Sequence, residues 1–276
     1  MLAPAFVVLL GVGLYPTLAS IWLSLHRLIL VFHEQRFVGM ENYAFLARDA
    51  RFWSALAHTA YFTFVSVAAE LVLGLTFALL LQARPPAHHV LRAAILVPWA
   101  VPTVISAKIW RWFFDREDGL LLRAFPGLDI DWLGTPGYAM HAAIVVDVWK
   151  TTPFVTLLLL AGLVGIPRAL YDAAAIDGAS PLRTFFAVTF PLLRRILAVT
   201  VLLRALDAFR VFDVVYVLTE GGPANTTETL SIYAYKTLMR SGDFGYGSAL
   251  SVVTFLCVLA LGLVYFQSVS RDEATR

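Results

Sequence analysis

Apolar positions along this chain neither alternate nor follow the three-and-four spacing of a surface helix; they come in long runs. Six stretches are long and apolar enough to cross a hydrocarbon core, which takes about 20 residues of helix: 2–25, 55–82, 91–114, 139–164, 195–219 and 246–269. Charged residues and turn formers separate them, as in HEQRFVGMEN, ARPPAHH, DREDG and TEGGPANTTE. Barrel strands would be about 10 residues long and alternating, and that pattern is absent. The runs therefore predict an all-α fold, a polytopic membrane helical bundle with six transmembrane helices, since lipid leaves backbone groups few partners outside a helix. The first run has no Lys or Arg before Arg27 and is about twice as long as a signal-peptide core, so it reads as a span.

Composition agrees. Of 276 residues, 59% are hydrophobic and only 14% charged, with a mean hydropathy of +0.76; a soluble domain carries about 25% charged residues. The net charge of +2 implies no polyanion partner and no nucleic acid. A single cysteine, Cys257, rules out an intramolecular disulfide and reads as a packing residue. His88-His89 has no third ligand nearby in sequence, so no metal site is expected. The three lysines, Lys108, Lys150 and Lys236, do not follow a glycine, so a phosphate-binding G-x-x-x-x-G-K-[ST] loop is missing.

Six spans put both termini on one side together with 83–92, 165–195 and 270–276. Those segments hold eight arginines in 48 residues, against eight Lys/Arg in 80 on the other side. The denser side is expected to be cytoplasmic. It includes an interruption with two aspartates, a glycine and two prolines, YDAAAIDGASPLRTFFAVTFPLL at 171–193. Leu170 to Ile176 reads as helix, Gly178 as its stop, and Ser180-Pro181 as an N-cap with proline at the first helical position. The loop is thus predicted to be two short helices meeting at a bend. Its alanines 173–175 and Gly178 leave room for another backbone to approach.

This loop resembles that of the inner-membrane permease subunits of ABC importers, whose motif runs E-A-A, three residues, G, nine residues, I-x-L-P. Asp172, Ala173, Ala174, Gly178, Val188, Phe190 and Pro191 keep the spacing, with Asp for Glu, Val for Ile and Phe for Leu. VGMENYAFL, LVPWAVPTVISAKIWRWFFDREDG, DVWKTTPFVTLLLLAGL and FDVVYVLTEGGP are similar to the carbohydrate branch, maltose/trehalose type, and the last to the "F"-like partner of its heterodimer. The resemblance implies a type I importer permease fold, one transmembrane domain over 1–276, in a bacterial-type inner membrane. It implies a translocation-pathway subunit for a sugar, a disaccharide such as trehalose or maltose, that is no enzyme itself. The implied partners are a second permease, two copies of an ABC ATPase carrying ATP and Mg, and an extracytoplasmic sugar-binding protein. It further implies that the cytoplasmic coupling loop, 165–194, seats in a cleft of the ATPase. There Asp172 pairs with a basic residue, while Asp177 joins the contact or caps locally beside Gly178. No cofactor is expected in this chain.

Charges inside the runs need an account. Arg204, Asp207, Arg210 and Asp213 recur at steps of three in the fifth run. Four central charges cost about 10–14 kcal/mol, against about 4–8 kcal/mol returned by the apolar residues around them. The charged side must then face protein or water, and opposite charges three apart can pair. At about 1.5 Å per residue, Asp147 and Lys150 of the fourth run lie about 12 and 16 Å deep. Arg210 and Asp213 come out about 14 and 9 Å deep by the same rise. In the third run Pro98 and Pro102 free carbonyls for partners. Either these residues surround a sugar-sized cavity, with Trp149, Phe209, Phe212 or Tyr216 as flat faces for a pyranose, or the charges are interhelical ion pairs. Glu70 in the second run is expected to find a polar partner. A stand-alone secondary transporter or channel is the alternative class, but the related halves common in secondary transporters are not visible.

Overall fold

The computed structural model describes residues 9–83, 85–125, 127 and 130–274, with side chains described only within 10–267. The predicted start of the first span at 2–8 lies outside the described residues, as do Arg84, Arg276 and the side chain of Arg271. A π-turn (Leu9–Leu14) leads into α1 (Tyr15–Ser24). A small hairpin follows, β1 (His26–Ile29) antiparallel to β2 (Glu34–Phe37), with His26 opposite Phe37. Then come α2 (Glu41–Arg48) and α3 (Ala50–Gln82). Next are α4 (His88–Ala100), α5 (Thr103–Phe113), α6 (Leu120–Ala124) and α7 (Pro136–Val164). The remainder is α8 (Arg168–Ile176), α9 (Pro181–Ala208), α10 (Asp213–Thr219), α11 (Leu230–Tyr235) and α12 (Phe244–Ala274).

Four of these, α3, α7, α9 and α12, are apolar and long enough to cross a membrane. Two of the predicted spans are built differently. The stretch at 91–114 is a pair, α4 and α5, bent by 99° at Val101-Pro102. Proline has no N–H to donate and pushes the residue before it out of the helical region; Val101 is extended, at φ −78 and ψ 132. The stretch at 195–219 is the end of α9, a break at 209–212, and α10. No Gly or Pro marks this break. Phe209 and Val211 are buried there instead, and the Thr229 hydroxyl donates to the Val211 carbonyl, so tertiary packing overrides local helix propensity.

The predicted bend in the loop is present, with Gly178 at φ +68 and the Ser180 hydroxyl accepting from the Arg183 N–H at 3.3 Å. The second short helix is, however, the first turn of α9. A π-turn over Phe185–Thr189 widens α9, where the Phe190 N–H reaches back to the Phe185 carbonyl, just before Pro191 removes a donor from the ladder.

The described residues form two compact units, one of those up to Tyr61 with those from Phe209 onward, the other Phe62–Ala208. The first packs around Leu46, Phe52, Phe209, Leu230, Tyr233 and Leu250. The second joins α3, α7 and α9 through Ala78, Val155, Leu159, Leu163 and Leu193. Glycines allow that close approach, as small residues do between membrane helices. A Cβ on Gly74 would lie 2.5 Å from Val155 Cγ1, and one on Gly162 2.7 Å from Ile196 Cδ1. Val155 is β-branched and stiff, whereas the end of Ile196 can shift. Gly74→Val is therefore expected to cost about 1–3 kcal/mol by overpacking and Gly162→Ala less, ranked by thermal unfolding midpoints in detergent.

Candidate functional site

One guanidinium organises the second unit. Arg204 of α9 is 2% exposed and fans out to carboxylates from three helices. Its Nε lies 2.5 Å from Glu70 Oε2 and its Nη2 2.8 Å from Glu70 Oε1 on α3. Nη2 also lies 3.2 Å from Asp147 Oδ2 on α7, and Nη1 bonds Asp207 one turn along α9. The Thr151 hydroxyl stands 2.6 Å from both Glu70 Oε1 and the Asp147 carbonyl. Glu70 is fully buried, while Asp207 is exposed. The sequence marked Glu70 as needing a partner, but nothing local points to an arginine 134 positions away. Thr63 and Ser66, on the same side of α3, have buried hydroxyls without a partner among the described residues.

Lys150, next along α7, serves the bend between α4 and α5. The Lys150 ammonium donates to the Val101 carbonyl at 2.6 Å, satisfying a group that the break frees. Trp149 meets Trp110 of α5 edge-on, with ring centroids 5.6 Å apart.

The remaining sequence-predicted pathway residues fall in the first unit. Phe209 belongs to the apolar core, while Arg210 and Asp213 are exposed. Asp213 opens α10, where a negative charge favours the helix dipole. Phe212 and Tyr216 stack at 5.1 Å and 14°. Tyr235, which sequence reasoning missed, stands edge-on to both.

Also missed was Glu228, 1% exposed in the segment before α11. Arg51 holds it with two hydrogen bonds of 2.7 and 2.8 Å, Lys236 with a third of 2.8 Å, and the Arg51 guanidinium lies 4.4 Å from the Tyr233 ring centroid. Burial would raise the Glu228 carboxyl above its ordinary 4.5, but the hydrogen bonds from Arg51 and Lys236 outweigh it and hold it below.

The loop residues gather at one knuckle. Asp172, Ala173 and Ala174 lie on α8, Asp177 caps its end through the backbone, and Gly178 turns the chain. Val188 sits in the π-turn, and Phe190 and Pro191 follow it. Ile176 (87%), Leu182 (69%) and Phe186 (60%) are exposed around the bend. The Asp172 carboxylate has no partner among the described residues.

A model of the binding-protein-dependent transport system inner membrane component family matches residues 70–271. The chain belongs to this family. The permease is 46% identical to a trehalose/maltose transport system permease protein of Thermococcus litoralis, over 97% of this chain and 91% of that one. It is 37% identical to a trehalose transport system permease protein of Mycobacterium tuberculosis, over 97% and 86%. Its fold matches a bacterial ABC transporter involved in the import of the acidic polysaccharide alginate, with a TM-score of 0.85 and 21% identity over 98% of this chain and 94% of that chain.

Two expectations follow for the permease. Arg204→Leu leaves Glu70 and Asp147 buried without their cation and should cost about 3–5 kcal/mol. Asp207→Asn, altering an exposed partner, should cost under about 1 kcal/mol; thermal midpoints of the purified variants check the ranking. The second concerns acid. A carboxyl depressed on folding stabilises the fold above its unfolded value and loses that contribution as pH falls through its folded value. The stability gap between the permease and Glu228→Gln should therefore be full at neutral pH and close on acidification below about 4.5, as read by unfolding midpoints across pH.

Proposed function

We propose that this permease is one half of the translocation path of an ATP-driven importer for a disaccharide of the trehalose or maltose kind. The knuckle carries the reading. Ile176, Leu182 and Phe186 exposed around one turn are costly in water and useful against another protein, to which the unpartnered Asp172 offers a charge. Its spacing, Asp172-Ala173-Ala174 to Gly178 to Val188 and Pro191, matches what docks on an ATPase in permeases of this kind. ATP and Mg then belong to two copies of that separate subunit. A second permease completes the path, and an external sugar-binding protein delivers the substrate. The relatives named for trehalose and maltose transport support the disaccharide.

The second unit has the build of a lever. α9 begins in the knuckle and carries Arg204 about 35 Å further along one helix, at about 1.5 Å per residue. There the guanidinium ties it to α3 and α7. A displacement of the knuckle by the closing ATPases therefore moves three helices together. In this topology the termini and the knuckle are cytoplasmic. Within the second unit, the exposed Asp207 offers a hydrogen-bond partner to sugar hydroxyls; within the first, Arg210 and Asp213 do the same. In the first unit Phe212 and Tyr216, joined by Tyr235, offer flat faces.

A crosslinker placed on Ala174→Cys in intact membranes should capture an ATP-hydrolysing subunit. Asp172→Ala should weaken that association roughly tenfold, as expected for one charge-assisted hydrogen bond, and Asp172→Glu should restore it. No capture at Ala174, together with uptake by the chain reconstituted alone, would favour the stand-alone transporter instead.

A further inference from the structure

Where α3 ends at Gln82 and α7 at Val164, a cavity of about 990 Å³ opens between α3, α4, α7 and α8. Its walls and its rim have opposite character. Leu79, Leu160 and Leu163 form an apolar wall, and Arg92, Arg168 and His88 form a basic edge. No carboxylate is among the residues lining it, and no described acid forms an ion pair with Arg92 or Arg168. Both arginines are exposed. Two arginines bordering one cavity with hydrocarbon-like walls make it a place where an anion is favoured.

The place in the fold selects the anion. Two membrane-crossing helices stop here, so the basic edge lies at headgroup level and the leucine wall descends beside the hydrocarbon. A small soluble anion would satisfy the arginines and leave the wall wet, whereas an amphiphile covers both. We infer that this groove binds the anionic headgroup of a membrane phospholipid, with its acyl chains against α3 and α7. Basic pockets between helices at the cytoplasmic surface suit such headgroups. The inference rests on the membrane topology of the proposed function and is independent of the sugar. It also has a mechanical side. Arg168 is the first residue of α8 and Tyr171 lines the same cavity, so a bound lipid would brace the root of the knuckle.

The test uses the permease purified with its partner subunits and titrated in detergent with dioleoylphosphatidylglycerol or dioleoylphosphatidylcholine, with bound lipid read by native mass spectrometry. Phosphatidylglycerol should be retained in preference. Arg92→Gln with Arg168→Gln should weaken retention roughly thirtyfold, at about a kilocalorie per lost charge. The double lysine variant at the same positions, which keeps the charge, should retain the lipid and so separates charge loss from misfolding. Arg194→Gln should change nothing. Equal retention of the two lipids, or retention indifferent to the glutamine variant, overturns the inference. So does equal competition by soluble glycerol 3-phosphate, which assigns the groove to a free anion. Lipid found only on permease stripped of its ATPase also overturns it, since a protein then covers the groove. The same spectra report whether the ATPase is bound. ATPase present without lipid preference defeats this inference alone, whereas failure of Ala174→Cys to capture an ATPase defeats the functional reading alone.

Discussion

A guanidinium buried at membrane depth has to be surrounded by acceptors before the helix that bears it can be stable there, and Arg204 meets that demand by recruiting Glu70 and Asp147 from two other helices. Neither acid is tolerable in the apolar interior without the cation, and the cation is not tolerable without them. The second unit is therefore cooperative by necessity. α3, α7 and α9 assemble together or not at all, with the close contacts at Gly74 and Gly162 setting their spacing. That mutual dependence suits a body that is to be moved as one piece.

Elsewhere the helices are interrupted, and at two of these breaks a side chain meets the backbone that is exposed. Lys150 caps the Val101 carbonyl at the bend between α4 and α5, and Thr229 reaches the Val211 carbonyl between α9 and α10. Irregular backbone is permitted in a membrane protein when protein or a wet cavity receives its polar groups. Lys150 combines two properties usually considered separately: it is a cation at depth and a hydrogen-bond donor to a broken helix.

The parts of this fold legible in the sequence are those that short-range chemistry determines. Long apolar runs gave the crossing helices, Gly178 and Ser180-Pro181 gave the knuckle, and steps of three gave the Arg204–Asp207 pair. The rest depends on distant partners. Pro98 and Pro102 look alike as helix breakers, yet α4 accommodates Pro98 and the chain turns at Pro102. The break after Ala208 follows from Phe209 entering a core whose other members lie elsewhere in the chain. Four-residue strands in β1 and β2 are too short to show against apolar flanks. Glu228 and Tyr235 had no pattern to mark them; only the folded chain brings Arg51 to one and Phe212 with Tyr216 to the other.

The wide turn at Phe185–Thr189 governs which way α9 presents itself on either side. In an unbroken α-helix two residues eleven apart share a face, since eleven residues make about three turns. Leu182 and Leu193 are so spaced, yet Leu193 is 1% exposed against α7 and Leu182 69% exposed. One surplus residue in the coil rotates the earlier segment by about 100°. The same apolar stripe thus begins facing outward at the knuckle and ends facing the helical core. A deletion there would restore the phase and turn the docking surface in upon its own helices.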